Sequence, residues 1–179
     1  PEKAKDLLEE SSYDGETIRI LGLPYGETWQ RWAEAVKQNL SEIGMKSEIV
    51  PSDVAGWNQK VADRDFDLAF TYLYQYGDPA LGVSRTYMGD NAAPGSPWNN
   101  VANYQNAETD KLFAEAALMA SPEERKAAYK EIQDKIVEDV PNIWLLELGF
   151  PTIYRCDVKN PVNTAFGVND GFRDVWLDK

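Results

Sequence analysis

The feature that most constrains this chain is a change of hydrophobic period that occurs repeatedly between residues 17 and 74. Thr17-Ile18-Arg19-Ile20-Leu21-Gly22-Leu23 alternates as a strand does, with Gly15 before it and Pro24 after it. Trp29, Trp32, Ala33, Val36, Leu40 and Ile43 then recur at helical spacing, and Gly44 stands where a left-handed helix terminus is wanted. Residues 45–50 read as a second strand stopped by Pro51, and Asp53 caps a short helix running through Ala62. Residues 66–74 form a nearly continuous apolar and aromatic run, the pattern of a central strand covered on both faces. Strands separated by single helices favour parallel pairing through right-handed crossovers. The chain is therefore expected to be α/β, with a mixed, partly parallel sheet flanked by helices. In such sheets ligands gather at the carboxyl ends of the strands.

The rest of the chain is read the same way. Residues 1–10 predict a short helix with Ala4, Leu7 and Leu8 on one face. Residues 76–105 are rich in Gly, Pro and Asn, with room for a short helix at 80–87. Tyr87, Trp98 and Tyr104 need something to pack on, which favours an ordered binding loop. Asn106 caps a helix that turns Leu112, Phe113, Ala116 and Ala117 inward. Ser121-Pro122-Glu123-Glu124 is a capping box opening a helix with Ala128, Ile132, Ile136 and Val140 on its apolar face. Residues 142–148 and 151–156 read as two strands joined at Gly149, and 173–177 as a last strand in a loop-like tail.

Composition narrows the chemistry. The net charge of -12 and a pI near 4.4 repel phosphates, so nucleic acid is not an expected partner. The chain has no histidine, which removes the commonest general base and the commonest transition-metal ligand. Its one cysteine, Cys156, reads as a small buried side chain rather than a nucleophile. Asp134, Glu138 and Asp139 lie near one helix face and lack the glycine-bearing loop of a calcium site. No metal and no cofactor is expected. Pro1-Glu2-Lys3-Ala4-Lys5 looks like a cut within a longer protein or a processed terminus.

The cluster Tyr72, Tyr74, Gln75, Tyr76 and Asp78 leaves the third strand directly and leads into the Gly/Pro-rich loop. Tyrosine combines a flat apolar face with a polar tip, and Gln75 offers both a donor and an acceptor. These residues could bind a ligand or simply alternate between core and surface. Asp65 and Asp67 flank Phe66, and Asp14 and Glu16 flank Gly15. A glycosidase needs two carboxylates opposed across a scissile bond, whereas most acids of an acidic chain are solvated. Trp57 favours packing beneath the sheet edge over ligand stacking. Arg85 could hold a ligand carboxylate bidentately or tie the loop to an acidic neighbour.

Several segments in order along the chain resemble the last lobe of the family 5 extracellular solute-binding proteins, which include dipeptide, oligopeptide and nickel binders. They are residues 1–10, residues 35–44, Asp65-Phe66-Asp67-Leu68-Ala69-Phe70, Gly77-Asp78-Pro79, residues 104–112, residues 124–133 and Val140-Pro141-Asn142-Ile143. The resemblance implies a non-enzymatic binding module, one lobe of a bilobal, type II periplasmic-binding-protein-like clamshell. It implies residues 1–159 as a carboxy-terminal lobe and 160–179 as a tail returning to an absent amino-terminal lobe. It implies a periplasmic or lipid-anchored extracellular location and a membrane ABC permease as partner. The ligand would be a small polar peptide or sugar. Peptide-binding relatives place an Asp three residues before the Asp of Gly-Asp-Pro to hold the peptide ammonium. Here that position is Gln75, which cannot make the same charge-assisted bond and shifts weight toward sugars or blocked ligands. The expected ligand contacts are Tyr25, Tyr74, Gln75, Tyr76, Asp78, Arg85 and Trp98. Two other classes stay open: a carboxylate-dependent hydrolase acting on a small polar substrate, and a purely structural interaction domain.

Overall fold

The computed structural model describes residues 1–74, 77–164, 166–169 and 171–178, Val168 by its backbone alone. The chain divides into two units. Pro1–Leu73 with Arg85–Gln105 forms the first, and Tyr74–Ser84 with Asn106–Lys179 forms the second.

The first unit opens with α1 (Glu2–Glu10), a helix with no buried residue. β1 (Ile18–Leu21), α2 (Glu27–Glu42), β2 (Ser47–Val50), α3 (Val54–Asp63) and β3 (Leu68–Ala69) follow. The sheet order is β2-β1-β3, and both pairings are parallel. The register sets Ile20 against Ile49 and against Leu68. The chain leaves β1 through α2 to add a strand on one side, then crosses through α3 to add one on the other. The central strand of the described sheet is therefore β1, not the aromatic run at 66–74. Its Ile20 and Leu21 are fully buried, and with Leu23, Ala33, Trp57, Val61 and Phe70 they form the core. The third strand is also shorter than expected. Phe70 N donates to Leu21 O at 2.9 Å, and β1 ends at Leu21.

Local signals hold where backbone chemistry is decisive. Gly44 takes φ +93°, and Gly44 N and Met45 N bond back to Ser41 O and Leu40 O. The Asp53 carboxylate accepts from Gly56 N at 2.7 Å. Trp57 is 1% exposed, beneath the sheet as its packing reading has it. The loop after β3 is ordered by Asn100, itself buried. Its Nδ2 donates to Met88 O and Tyr104 O, and its Oδ1 accepts from Tyr104 N. Gly95 N bonds Ala62 O at 3.0 Å, tying the loop to α3. The expected helix at 80–87 is split at Gly82 into a 3-10 turn (Pro79–Leu81) and α4 (Ser84–Tyr87).

The second unit is built on a helical hairpin, α5 (Ala107–Leu118) and α6 (Pro122–Asp139). Asn106 accepts from Glu108 N and Thr109 N, and Ser121 accepts from Glu124 N, as their caps predict. Thr109, Phe113 and Ala116 face Ala128, Ile132 and Ile136, and Lys135 pairs with Glu108 at 2.8 Å. Ala117 turns outward, because the buried stripe follows i, i+4, i+7. Val140 is exposed, because it ends α6 at φ 46° instead of continuing its face.

Residues 142–156 depart furthest from expectation. No strand is assigned there, and Ile143, Trp144, Phe150 and Ile153 are exposed, the last at 93%. An apolar period specifies a strand only when it joins a hydrogen-bonded ladder, and residues 142–156 belong to neither described sheet. Cys156 is exposed for the same reason, not buried. The tail pairs with the preceding segment through β4 (Val158–Lys159) and β5 (Trp176–Leu177), which run antiparallel.

Because β1 carries the core, Ile20→Ala is expected to destabilise the protein by about 2–5 kcal/mol in urea denaturation. Leu118→Ala, at 88% exposure, should cost under about 0.5 kcal/mol.

Candidate functional site

The carboxyl end of the parallel sheet carries an aromatic ledge. After β1 the chain turns sharply, with Tyr25 N bonded to Leu23 O at 2.9 Å and Gly26 at φ +104°. That turn leaves Tyr25 43% exposed at the start of α2. Tyr72, just beyond β3, lies at the centre. Its ring is 6.3 Å from Tyr25, 5.6 Å from Trp29 and 6.2 Å from Trp98. Trp98 in turn lies 5.2 Å from Trp57, whose buried Nε1 has no hydrogen-bond partner among the described residues. Edge-on and tilted contacts of this kind suit the ring quadrupoles and hold the ledge rigid. Such a surface can stack on a peptide plane or sugar ring while phenol groups bond its edge.

In the second unit the turn at Gly77-Asp78-Pro79 is clamped by α6. Arg125 donates from Nη1 and Nη2 to the two oxygens of Asp78 at 2.8 and 2.9 Å. Asp78 Oδ1 also accepts from Ala80 N. The Arg125 guanidinium first, and the Ala80 amide second, hold the Asp78 carboxyl below the usual carboxylate range. The Arg125 guanidinium is raised in turn and lies 5.6 Å from the centre of the Tyr129 ring. An open concavity of about 310 Å³ surrounds the pair, lined also by Met119 and Pro122. Asp78 thus serves the turn and is spoken for. Tyr74, in the same unit, is 43% exposed with its ring 6.3 Å from Phe150.

Of the expected ligand contacts, the first unit joins Tyr25 and Trp98 through Tyr72 and also contains Arg85, on α4. The second unit contains Tyr74 and Asp78. Gln75 and Tyr76 lie outside the described residues. Tyr72 belongs to the tyrosine cluster read in the sequence but not to the chosen ligand contacts, and Trp29 was read as helix core. The period of two from Phe70 to Tyr72 was the signal for the former; nothing in the sequence marks the latter.

Of the two carboxylate pairs read in the sequence, Asp65 and Asp67 are neutralised. Arg19 reaches Asp65 at 2.5 Å and Asp67 at 3.2 Å, and Lys60 reaches Asp65 at 2.7 Å. Lys60 foremost holds the Asp65 carboxyl below its ordinary range, and Arg19 does so for Asp67. A general acid needs the opposite shift. The network also sits where β1 and β3 begin, at the far end of the sheet from Tyr25 and Tyr72. Among the described residues no group of three His, Cys, Asp or Glu could hold a metal ion, and no helix is long and apolar enough to cross a membrane.

Residues 1–95 match the model of the bacterial extracellular solute-binding proteins, family 5, middle region. The chain belongs to this family. Heme-binding protein A of Haemophilus influenzae is 29% identical to it over 99% of this chain and 33% of the relative. A dipeptide-binding protein of Pseudomonas aeruginosa is 26% identical over 87% of this chain and 29% of the relative. Among solved structures, a dipeptide-binding protein from a Pseudoalteromonas species in complex with Met-Leu superposes with a TM-score of 0.68 at 26% identity. That match covers 79% of this chain and 28% of the other. The periplasmic binding protein DppA of Helicobacter pylori, in complex with the peptide STSA, shares the fold with a TM-score of 0.76 at 23% identity. It covers 99% of this chain and 34% of the other. The family 5 chain therefore has the α/β architecture of type II periplasmic binding proteins, and spans about a third of the length of the relatives it matches.

The Asp78 clamp generates a pH test. A carboxyl whose folded pKa is depressed contributes stability that is complete above the ordinary value, about pH 4, and is lost as pH falls through the folded value. In stepped-pH urea denaturation, the stability gap between wild type and D78N should therefore narrow as pH falls from about 5 toward 2. A gap that stays constant across that window would show that Asp78 gains nothing from Arg125.

Proposed function

We propose that the protein captures a small polar ligand, foremost an oligopeptide, outside the inner membrane and delivers it to an ABC importer without chemical change. The Tyr72-centred ledge at the carboxyl ends of β1 and β3 carries this reading, because ligands of open parallel sheets gather there. Tyr25 and Trp98 stack on the ligand; Tyr74, Gln75 and Tyr76 are proposed as further contacts from the sequence alone, and Asp78 fixes the turn that follows them. The dipeptide and tetrapeptide complexes of the structural relatives support a peptide. Gln75, standing where the family resemblance expects an ammonium-binding Asp, favours ligands whose amino end is blocked or absent and keeps an oligosaccharide as the second reading.

On this reading residues 1–159 are the carboxy-terminal lobe of a clamshell, and the exposed apolar side chains of residues 142–156 pack on the remainder of the protein. Residues 160–179 return to the other lobe. The location is periplasmic or lipid-anchored at the cell surface, and the membrane permease is the partner.

Calorimetry of the full-length protein with trialanine tests the assignment. The probe is used with its amino end acetylated, as N-acetyl-trialanine, and wild type is expected to bind it with a Kd of about 1 μM or tighter. Tyr25→Ala, which removes an exposed ring and no core packing, should weaken binding by about 3- to 10-fold. Unchanged affinity in that variant would remove the ledge from the ligand site.

A further inference from the structure

We infer that Arg85 is the anion receptor of this protein and takes a carboxylate of the bound ligand. The inference rests on the solute-binding reading and adds to it the charge of the ligand. This chain has 30 acidic residues for 18 basic ones, so an arginine that needs an acid finds one readily. The other half-buried arginines with charge partners show this. Arg19 holds Asp65 and Asp67, and Arg125 holds Asp78 at two points. Arg85 is half-buried as well, and its Nε is shut off from solvent. Yet its side chain has no ion pair or hydrogen bond among the described residues. The Oγ1 of the adjacent Thr86 is likewise buried without a partner. Two consecutive residues thus keep desolvated polar atoms unanswered, in the loop that follows the carboxyl end of β3.

The guanidinium cannot relieve its position by losing its proton, because it stays ionised under all ordinary conditions. It is not loosely held. Thr86 and Tyr87, which follow it on α4, are buried, and the Tyr87 ring packs edge-on against Tyr104 at 6.5 Å. Asn100 secures Met88 O one residue further on. A planar guanidinium that has no acid beside it among the described residues, on a backbone anchored by its buried neighbours, is suited to a carboxylate, which accepts two parallel N–H bonds. The net charge of -12 opposes a multiply charged phosphate more than it opposes a singly charged carboxylate. The neutral Gln75 fits the same scheme, in which the ligand is recognised by its acid end rather than its ammonium.

The test compares full-length wild type, R85Q and R85K, each checked for folding by circular dichroism, in calorimetry with N-acetyl-trialanine and with N-acetyl-trialanine amide. Wild type is expected to prefer the free acid. R85Q should bind the acid at least about tenfold more weakly and the amide with unchanged affinity, and R85K should recover part of the difference. Equal loss for both probes, no loss for either, or a wild type indifferent to amidation would overturn the inference. If wild type binds neither peptide, the peptide reading fails, and N-acetylalanine, a singly charged carboxylate, then decides Arg85 by thermal shift. A rise in Tm with N-acetylalanine that R85Q abolishes supports the carboxylate site. A wild type that responds to no carboxylate refutes it, and Arg85 then serves an acidic side chain elsewhere in the protein.

Discussion

Everything described in the first unit follows from the parallel pairing of β1 with two neighbours. A strand with a parallel partner on each side must be entered and left by crossovers, so α2 and α3 are obligatory. A strand so enclosed must also be apolar, and Ile20 and Leu21 are fully buried. The same geometry brings the ends of β1 and β3 out side by side. Tyr25 and Tyr72 meet because their strands are hydrogen-bonded neighbours, and Trp98 joins them because Gly95 and Asn100 tie its loop down.

Charge is distributed to leave that end of the sheet free. The acids nearest the start of β1 and β3 are consumed by Arg19 and Lys60, which keep them ionised and structural. Asp78 is consumed by Arg125 and by the backbone of its own turn. Acid–base chemistry would need carboxylates pushed the other way and opposed across a gap. A surface of flat aromatic rings with few free charges is suited to holding a solute and releasing it unaltered.

The sequence made the crossovers, caps and core faces legible, because each depends on residues close together in the chain. Gly44, Asp53, Asn106 and Ser121 act through the next few backbone amides and need no knowledge of the fold. Strand order depends instead on long-range pairing, which is why the most apolar run was expected at the centre and β1 occupies it. Residues 142–156 have the period of strands but belong to neither described sheet. Apolar spacing states a demand for burial and cannot state where it is met. The ligand contacts were partly legible for the same reason. Tyr25 and Trp98 stand out by composition, whereas the role of Tyr72 as their link appears only once two strands are in register.

The central claim is that ligand settles on the ledge at the carboxyl ends of β1 and β3. Hydrogen–deuterium exchange of the full-length protein, with and without saturating N-acetyl-trialanine, addresses it most directly. Binding should slow exchange chiefly in residues 22–26, 70–74 and 96–100, with little change at Arg19, Asp65 and Asp67. Tight binding accompanied by protection elsewhere, with those three segments unaffected, would contradict the account.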